Sequence, residues 1–423
     1  MIVCERSLSK RIEINICSTQ ISKVASILVV LSMLGYAYVI PFAPSLTFGE
    51  LGLGIFCLVL IFGGTLNRAS VPKWLLFIGV YSLCVALLVG FILQDISSPI
   101  KRLLRDAFYW AIIILFGRYI NLKIFMMYVK RFCVALSIFI LAQVFVYHLT
   151  GYLIPGMLPF GMVDANATGQ MIYDHILFWV QHAGYLKPNG FLSEASHSAQ
   201  CLFIGTLFVF EDLFQKKHFN KGFCQIILFS LASVLTFSAS AVIYVGISMV
   251  ILFYILFKLH KKKIIYLSIG LFIIAFLLLI QLDIVKIVMR ILSALSPKTN
   301  DGSAFVRVYK GFTFWSELPA VYKIFGIGVG NYTAINLKYS ITTEMNEYMS
   351  SLSYFLVSNG IIGVLMILSS IIIGATRLNK KGRLYLFILF FMCIAASIYS
   401  TPYWMWLFIA ISKNKKDVNK RRR

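Results

Sequence analysis

Four groups of residues carry the chemistry open to this chain. The first is Glu194, His197, Ser198 and Cys201, at i, i+3, i+4 and i+7, on one face of a helix at the start of an apolar run. Ionisable groups at such a boundary usually face a protein interior or a wet cavity, where a carboxylate or an imidazole can take a proton from a hydroxyl. The same stretch also reads as a helix start, with Ser193 or Glu194 satisfying free N–H groups. Local sequence leaves both readings open. The second group is Lys101, Arg102, Arg105, Asp106 and Tyr109. Arg102, Arg105 and Tyr109 share a face, and guanidinium groups suit bidentate phosphate binding, although snorkelling to ordinary headgroups would use them too.

The third group follows the turn Pro297–Ser303. Ser303 can cap a helix carrying Arg307, Lys310, Phe314 and Trp315. The fourth is the run Gly326-Ile-Gly328-Val-Gly330-Asn331. It has no Lys-Ser/Thr follower and no βαβ context, so it predicts a flexible turn near a ligand or a close packing of helices rather than a nucleotide loop. Asp174, His175 and His182 lack a third confident metal ligand and read as solvated loop residues. No Asp-x-Asp and no Cys-x-x-Cys occurs, so neither a metal nor another cofactor is expected.

The elements that must position these groups follow from composition. Of 423 residues, 60% are hydrophobic and 13% charged, and the mean hydropathy is +0.85. A water-soluble fold cannot hide that much apolar surface, which excludes a soluble enzyme, a disulfide scaffold and a disordered chain. The apolar runs are too long for barrel strands, so the expected fold is all-α and polytopic. About twelve spans are predicted, near 24–40, 47–62, 74–93, 106–117, 132–150, 192–211, 222–237, 241–257, 264–281, 351–374, 384–400 and 403–412. The whole chain forms one transmembrane domain with two long outer loops, 151–191 and 282–350.

Lys and Arg exceed Asp and Glu by 39 to 16, but the excess is topological rather than a nucleic-acid footprint. With the N-terminus inside, inner segments hold 28 of the basic residues and the longer outer segments 11. Both termini are therefore expected in the cytoplasm. The first apolar run has no small-x-small cleavage site and reads as a retained span. None of the eight cysteines falls in an outer loop, so no disulfide framework is expected. Polar residues concentrate in the outer loops, and Asp283, Lys286 and Arg290 suggest an amphipathic helix on the membrane surface. Neither repeats nor paired broken spans support a transporter.

Several of these stretches together resemble one family. Gly190-Phe-Leu-Ser-Glu194-Ala-Ser-His197 is similar to the Gly-x-Phe-x-Glu-Pro-Ser stretch of O-antigen polymerases (Wzy), with Ala195 where Pro is usual. Ser303-Ala-Phe-Val-Arg307, Trp315 and Phe325-Gly-Ile-Gly-Val-Gly330-Asn331 resemble the Arg, Trp, Gly-rich order of polymerases and ligases. Asn346-Glu-Tyr348 and Asn359-Gly360-Ile-Ile-Gly363 fit the end of the same loop. The ligase pattern would place His where Met345 stands, which favours a polymerase. The resemblance spans most of the chain in layout but only about 187–375 in motifs.

It implies a glycosyltransferase of the bacterial inner membrane, active on the periplasmic face. The growing glycan would leave undecaprenyl pyrophosphate and join the next lipid-linked repeat unit, in lipopolysaccharide biosynthesis. Arg307 would stabilise the leaving group, and Glu194 or His197 would serve as base. Arg102, Arg105, Lys187, Lys310 and Asn331 would bind substrate. Partners would be lipid-linked repeat units, the bilayer and a chain-length regulator, with no nucleic acid. The rival readings are an O-antigen ligase and a flippase for lipid-linked oligosaccharides.

Overall fold

Apolar runs become helices here, and short polar side chains mark where several of them start. The structure, a computed structural model, describes residues 20–32, 38–40, 43–62, 73–156, 180–181, 186–192, 194–214, 219–258, 309–342, 349–395 and 404–414. Contacts divide the chain into two units, Met1–Val59 with Tyr119–Ile291, and Leu60–Arg118 with Leu292–Arg423.

The first unit begins with helix α1 (Gln20–Ser32) and a small antiparallel ribbon of β1 (Val39–Ile40) and β2 (Ala43–Thr47). This ribbon departs from the all-α expectation and from a span running to residue 40. Pro41 and Pro44 supply no N–H for a helical ladder, and Val39 pairs with Thr47 instead. Helix α2 (Phe48–Phe62) then starts on a reciprocal cap. The Thr47 N–H donates to Glu50 Oε2 at 2.9 Å, and the Glu50 N–H donates to Thr47 Oγ1 at 3.1 Å. Glu50 is thereby buried with its charge satisfied locally.

The bundle of this unit is α5 (Leu122–Thr150), α6 (Ala195–Phe214), α7 (Phe219–Leu235) and α8 (Ala239–Lys258). Helix α6 is enclosed by the other three and buries nearly all its residues. Helix α5 turns one stripe inward, from Phe125 through Val129, Phe132, Leu136 and Ile140 to Gln143. It starts ten residues before the predicted span. Asn121 Oδ1 accepts the Lys123 N–H at 3.0 Å and makes a helix start of what hydropathy alone reads as an inner loop. Lys130, one of the charges that hid this turn, pairs with Asp212 on α6. The tight link between α7 and α8 uses its hydroxyls on backbone and on one another, with Thr236 Oγ1 donating to the Ser233 carbonyl and Ser238 beside Ser240.

The second unit contains α3 (Lys73–Ile92) and α4 (Ser97–Tyr119). From the second long loop come α9 (Lys310–Glu317), α10 (Ala320–Phe325) and α11 (Tyr332–Tyr339). The last helices are α12 (Ser351–Arg377), α13 (Lys380–Ala395) and α14 (Trp404–Lys413). Helix α4 also starts early, at Ser97 rather than near 106. Asp95 accepts the Ser98 hydroxyl at 2.9 Å and the Ser98 N–H at 3.3 Å, so the basic cluster at 101–105 lies inside a helix. Helix α12 breaks at Gly360 (φ 63°, ψ −171°).

Among the described residues, three helices are long and apolar enough to cross a bilayer: α5, the 240–258 part of α8, and α12. Shorter apolar helices accompany them at 20–32, 48–58, 76–92 and 219–235. The protein is therefore mostly helical and membrane-embedded. The predicted span at 264–281, the surface helix at 283–290, the Ser303 cap and the loop residues Asp174, His175 and His182 lie outside the described residues.

Candidate functional site

In the second unit, two of the candidate cations settle on rings of one aromatic cluster. Phe314, Leu318, Ile327, Val329, Tyr332 and Tyr354 form a buried core with Ala86 and Val89 of α3. Lys310, only 6% exposed, places its Nζ 5.9 Å from the centroid of Tyr332, which in turn packs on Phe314 at 4.4 Å. The Arg102 guanidinium stands 5.9 Å from the centroid of Tyr354, and its Nε lies 3.9 Å from Asp106 Oδ1 one turn along α4. Both contacts are cation–π in type, worth about 0.5–2 kcal/mol each as desolvation increases. Arg105 is half-buried one turn after Arg102. Asp95, which starts this helix, has its carboxyl held below the usual range by the Ser98 hydroxyl and N–H.

The two rings belong to one core, and Tyr354 lies in the first turn of α12. Gly311 sits against Ser353, where a Cβ would overlap the serine side chain, and Tyr354 is the next residue. Ser350 caps the helix, its Oγ accepting the Ser353 N–H at 3.3 Å, and Ser350, Ser351 and Ser353 are fully buried. A helix N-terminus carries partial positive charge, so Lys310 and Arg102 add to the positive character of this core, with Asp106 offsetting part of the Arg102 charge.

The Gly-rich run packs closely on its neighbours. Gly326, Gly328 and Gly330 all have positive φ, and a Cβ would overlap Ser358, Ala86 and Pro99 respectively. The Ile327 N–H donates to the Val357 carbonyl at 3.0 Å and the Gly328 N–H to that of Ser358 at 2.8 Å. These are carbonyls that the break at Gly360 leaves without helical donors. Tyr81 Oη donates to the carbonyls of Phe325 and Asn359, at 2.9 and 3.1 Å, and Ser82 bonds the Asn359 side chain. Asn331 is almost fully buried and uses its amide N–H on the carbonyls of Ala86 and Ile327, at 3.0 and 2.9 Å. It braces the run against α3.

In the first unit, Glu194 occupies the residue just before α6. Its carbonyl accepts the N–H of His197 at 3.1 Å and of Ser198 at 3.2 Å, and its carboxylate accepts the Ser196 hydroxyl at 2.8 Å. His197 Nε2 lies 3.9 Å from Glu194 Oε2, with the His197 side chain 8% exposed and that of Glu194 41%. Glu194 thus stands just before the first turn of α6 with a partly exposed carboxylate, and the buried His197 lies behind it. The preceding loop is pinned to α5. Gln143 Oε1 accepts the Gly190 N–H at 2.9 Å, Gln143 Nε2 donates to the Ile154 carbonyl at 3.2 Å, and Ser198 Oγ donates to the Asn189 carbonyl. Phe191 meets Phe132 and Phe139 edge-on. Lys187 is half-buried in this same loop.

Arg307 lies outside the described residues, three positions before Lys310. Sequence reasoning missed Tyr332 and Tyr354 as seats for the cations, because aromatic residues are common in apolar surroundings. It also missed Gln143 and the Tyr81–Ser82–Asn359 clasp. The available signal was a polar side chain inside an apolar run, and in the last case an Asn-Gly pair within a span. Among the described residues, no three of His, Cys, Asp and Glu cluster as metal ligands would. No family model matches the chain, and no curated protein is significantly similar to it.

Proposed function

We propose that the protein is a glycosyltransferase of the surface-polysaccharide polymerase type. It would transfer a glycan from undecaprenyl pyrophosphate to a hydroxyl of the next lipid-linked repeat unit on the periplasmic face of the inner membrane, across about twelve spans. The observation that supports this reading best is the buried Lys310 with Arg102 beside the N-terminus of α12. A membrane protein gains nothing for insertion from such a concentration of positive charge, whereas a lipid-linked diphosphate is its chemical complement.

In this reaction the bond from the anomeric carbon to the diphosphate oxygen breaks as the acceptor oxygen bonds that carbon. The diphosphate gains charge, which Arg307, Lys310 and Arg102 offset, with Arg105 in support. The acceptor's proton passes to a general base, for which the resemblance offers Glu194 or His197. Lys187 binds the glycan. Asn331 keeps the site's frame through its backbone bonds.

The test is polymerisation of purified lipid-linked repeat units by wild type, Lys310→Met and Arg102→Ala, alongside the banding of lipopolysaccharide in a deletion strain. We expect single-unit chains in the strain and at least a tenfold loss of rate in each variant at unchanged protein level. Complete loss of O-chain from lipid A–core in the strain would instead indicate a ligase or a flippase. Wild-type rates in both variants would remove the cation cluster from the reaction.

A further inference from the structure

We infer that the second long loop is re-entrant: α10, the Gly-rich turn and the start of α11 dip into the hydrocarbon of the bilayer and bear directly on lipid chains. The depth follows from hydrogen bonds to α3 and α12. Tyr81, which holds the Phe325 carbonyl, lies eleven residues before the end of α3 at Ile92. At 1.5 Å per residue that is about 16 Å along the helix, roughly half the hydrocarbon thickness. Asn359, which shares the Tyr81 hydroxyl, lies eight residues into α12, about 12 Å from its start. Ala86, which receives Asn331, stands between these levels and the end of α3.

Non-helical backbone at such depth is tolerated only where protein satisfies it. The turn meets that condition. The Gly326 N–H donates to the Tyr322 carbonyl at 2.8 Å, and those of Ile327 and Gly328 reach α12. The Phe325 carbonyl accepts Tyr81 and the Ile327 carbonyl accepts Asn331. The break in α12 supplies the acceptors, so the kinked helix and the dipping turn complete each other. Ile327 and Val329 are buried, whereas the outer side of α10 is apolar and open: Val321 is 64% exposed, Ile324 43% and Phe325 48%. On a loop in water these would be an anomaly. At this depth they continue the lipid-facing side of α3, where Val80, Leu88 and Phe91 are also exposed. That continuity, together with the bond from Tyr81 in the middle of an apolar helix, identifies the occupant of this face as the acyl chains of the surrounding leaflet.

The experiment uses the full chain in lipid nanodiscs. A spin label is attached through a genetically encoded keto amino acid at position 321 and, separately, at 324, so that one perturbed variant does not decide the outcome. Position 88 on α3 serves as the lipid-facing reference and position 97 as the reference beyond the end of α3. Collision rates with oxygen and with a water-soluble nickel chelate report depth. We expect the labels at 321 and 324 to favour oxygen over nickel several-fold, as at 88. Nickel access like that at 97 would overturn the inference and return the segment to water. Protection from both reagents would overturn it equally, by showing a protein cover such as a second copy of the chain.

Discussion

Lys310 is held by an aromatic ring and Glu194 by a helix start, and each placement shows in how a substitution should act. Removing the Lys310 charge while keeping its volume, as in Lys310→Met, leaves the packing on Tyr332 available, so rate should fall at least tenfold while stability loses no more than the about 0.5–2 kcal/mol of the cation–π contact. Arg307 carries the sharper expectation. If it meets the diphosphate as charge develops, Arg307→Ala should cost about 3–4 kcal/mol, a hundredfold or more in rate. Arg307→Lys should keep part of the activity, because charge survives and the bidentate geometry does not. Polymerisation of lipid-linked units at matched protein level reads both, and near-normal chain lengths from Arg307→Ala would shift the role to Arg102, Arg105 and Lys310. Asp95 offers a test by pH. Its carboxyl is lowered from 3.8 by the Ser98 hydroxyl and N–H. A lowered folded value means that its stabilisation is full above the unfolded value and fades as pH falls through the folded one. The stability gap between wild type and Asp95→Asn should therefore be constant from neutral pH to about 4 and narrow only below that range, as thermal unfolding across a pH series would show.

At the scale of elements, the break in α12 decides most. Gly360 sits where φ is positive and ψ extended, a region that only glycine occupies without strain, and a Cβ would overlap the Ile324 carbonyl. Gly360→Ala should lose about 1–3 kcal/mol from backbone strain alone, and more from the overlap. Gly374→Ala in the same helix meets open space and should be neutral or gain about 0.5–1 kcal/mol. Unfolding temperatures of the purified variants separate the two, and an unchanged midpoint for Gly360→Ala would refute the account of the break. Elements were legible in the sequence to the extent that apolarity alone set them: α3 and the start of α12 fall where the runs do. The early turns of α4 and α5 were hidden because charged residues obscure helical continuity, although Asp95 and Asn121 were in place to begin them. The ribbon at 39–47 was hidden for a different reason. Its residues are apolar enough to extend a span, and only the prolines argue otherwise. For the site, the residue types were legible, but not what they rest on. A sequence shows Lys310 and Tyr332 twenty-two positions apart, and only the packing of α9 against α11, Phe314 on Tyr332, sets one upon the other.

At the scale of the whole molecule, the chain passes between its two units at residues 59–60, 118–119 and 291–292, so neither unit is a continuous piece of sequence. The distribution of basic residues predicts a membrane orientation that fusions can test. Reporter fusions at Lys216 and Lys261 should read cytoplasmic, and fusions at Asp164 and Asp301 periplasmic. An inside signal from either long loop would reverse the face on which the reaction is proposed. Interleaving also sets a timetable for biogenesis. Tyr81 waits for partners 244 and 278 positions downstream, and Ser82 for one 277 positions downstream. At usual translation speeds that delay is on the order of ten seconds to a minute. Through this interval α3 must reside in the membrane, or beside the insertion machinery, with two hydroxyls uncovered in the middle of an apolar helix. A nascent chain cut short before Phe325 can never cover them. The clasp that fixes the kink therefore closes late: the Tyr81 and Ser82 hydroxyls gain these partners only once synthesis has passed Asn359.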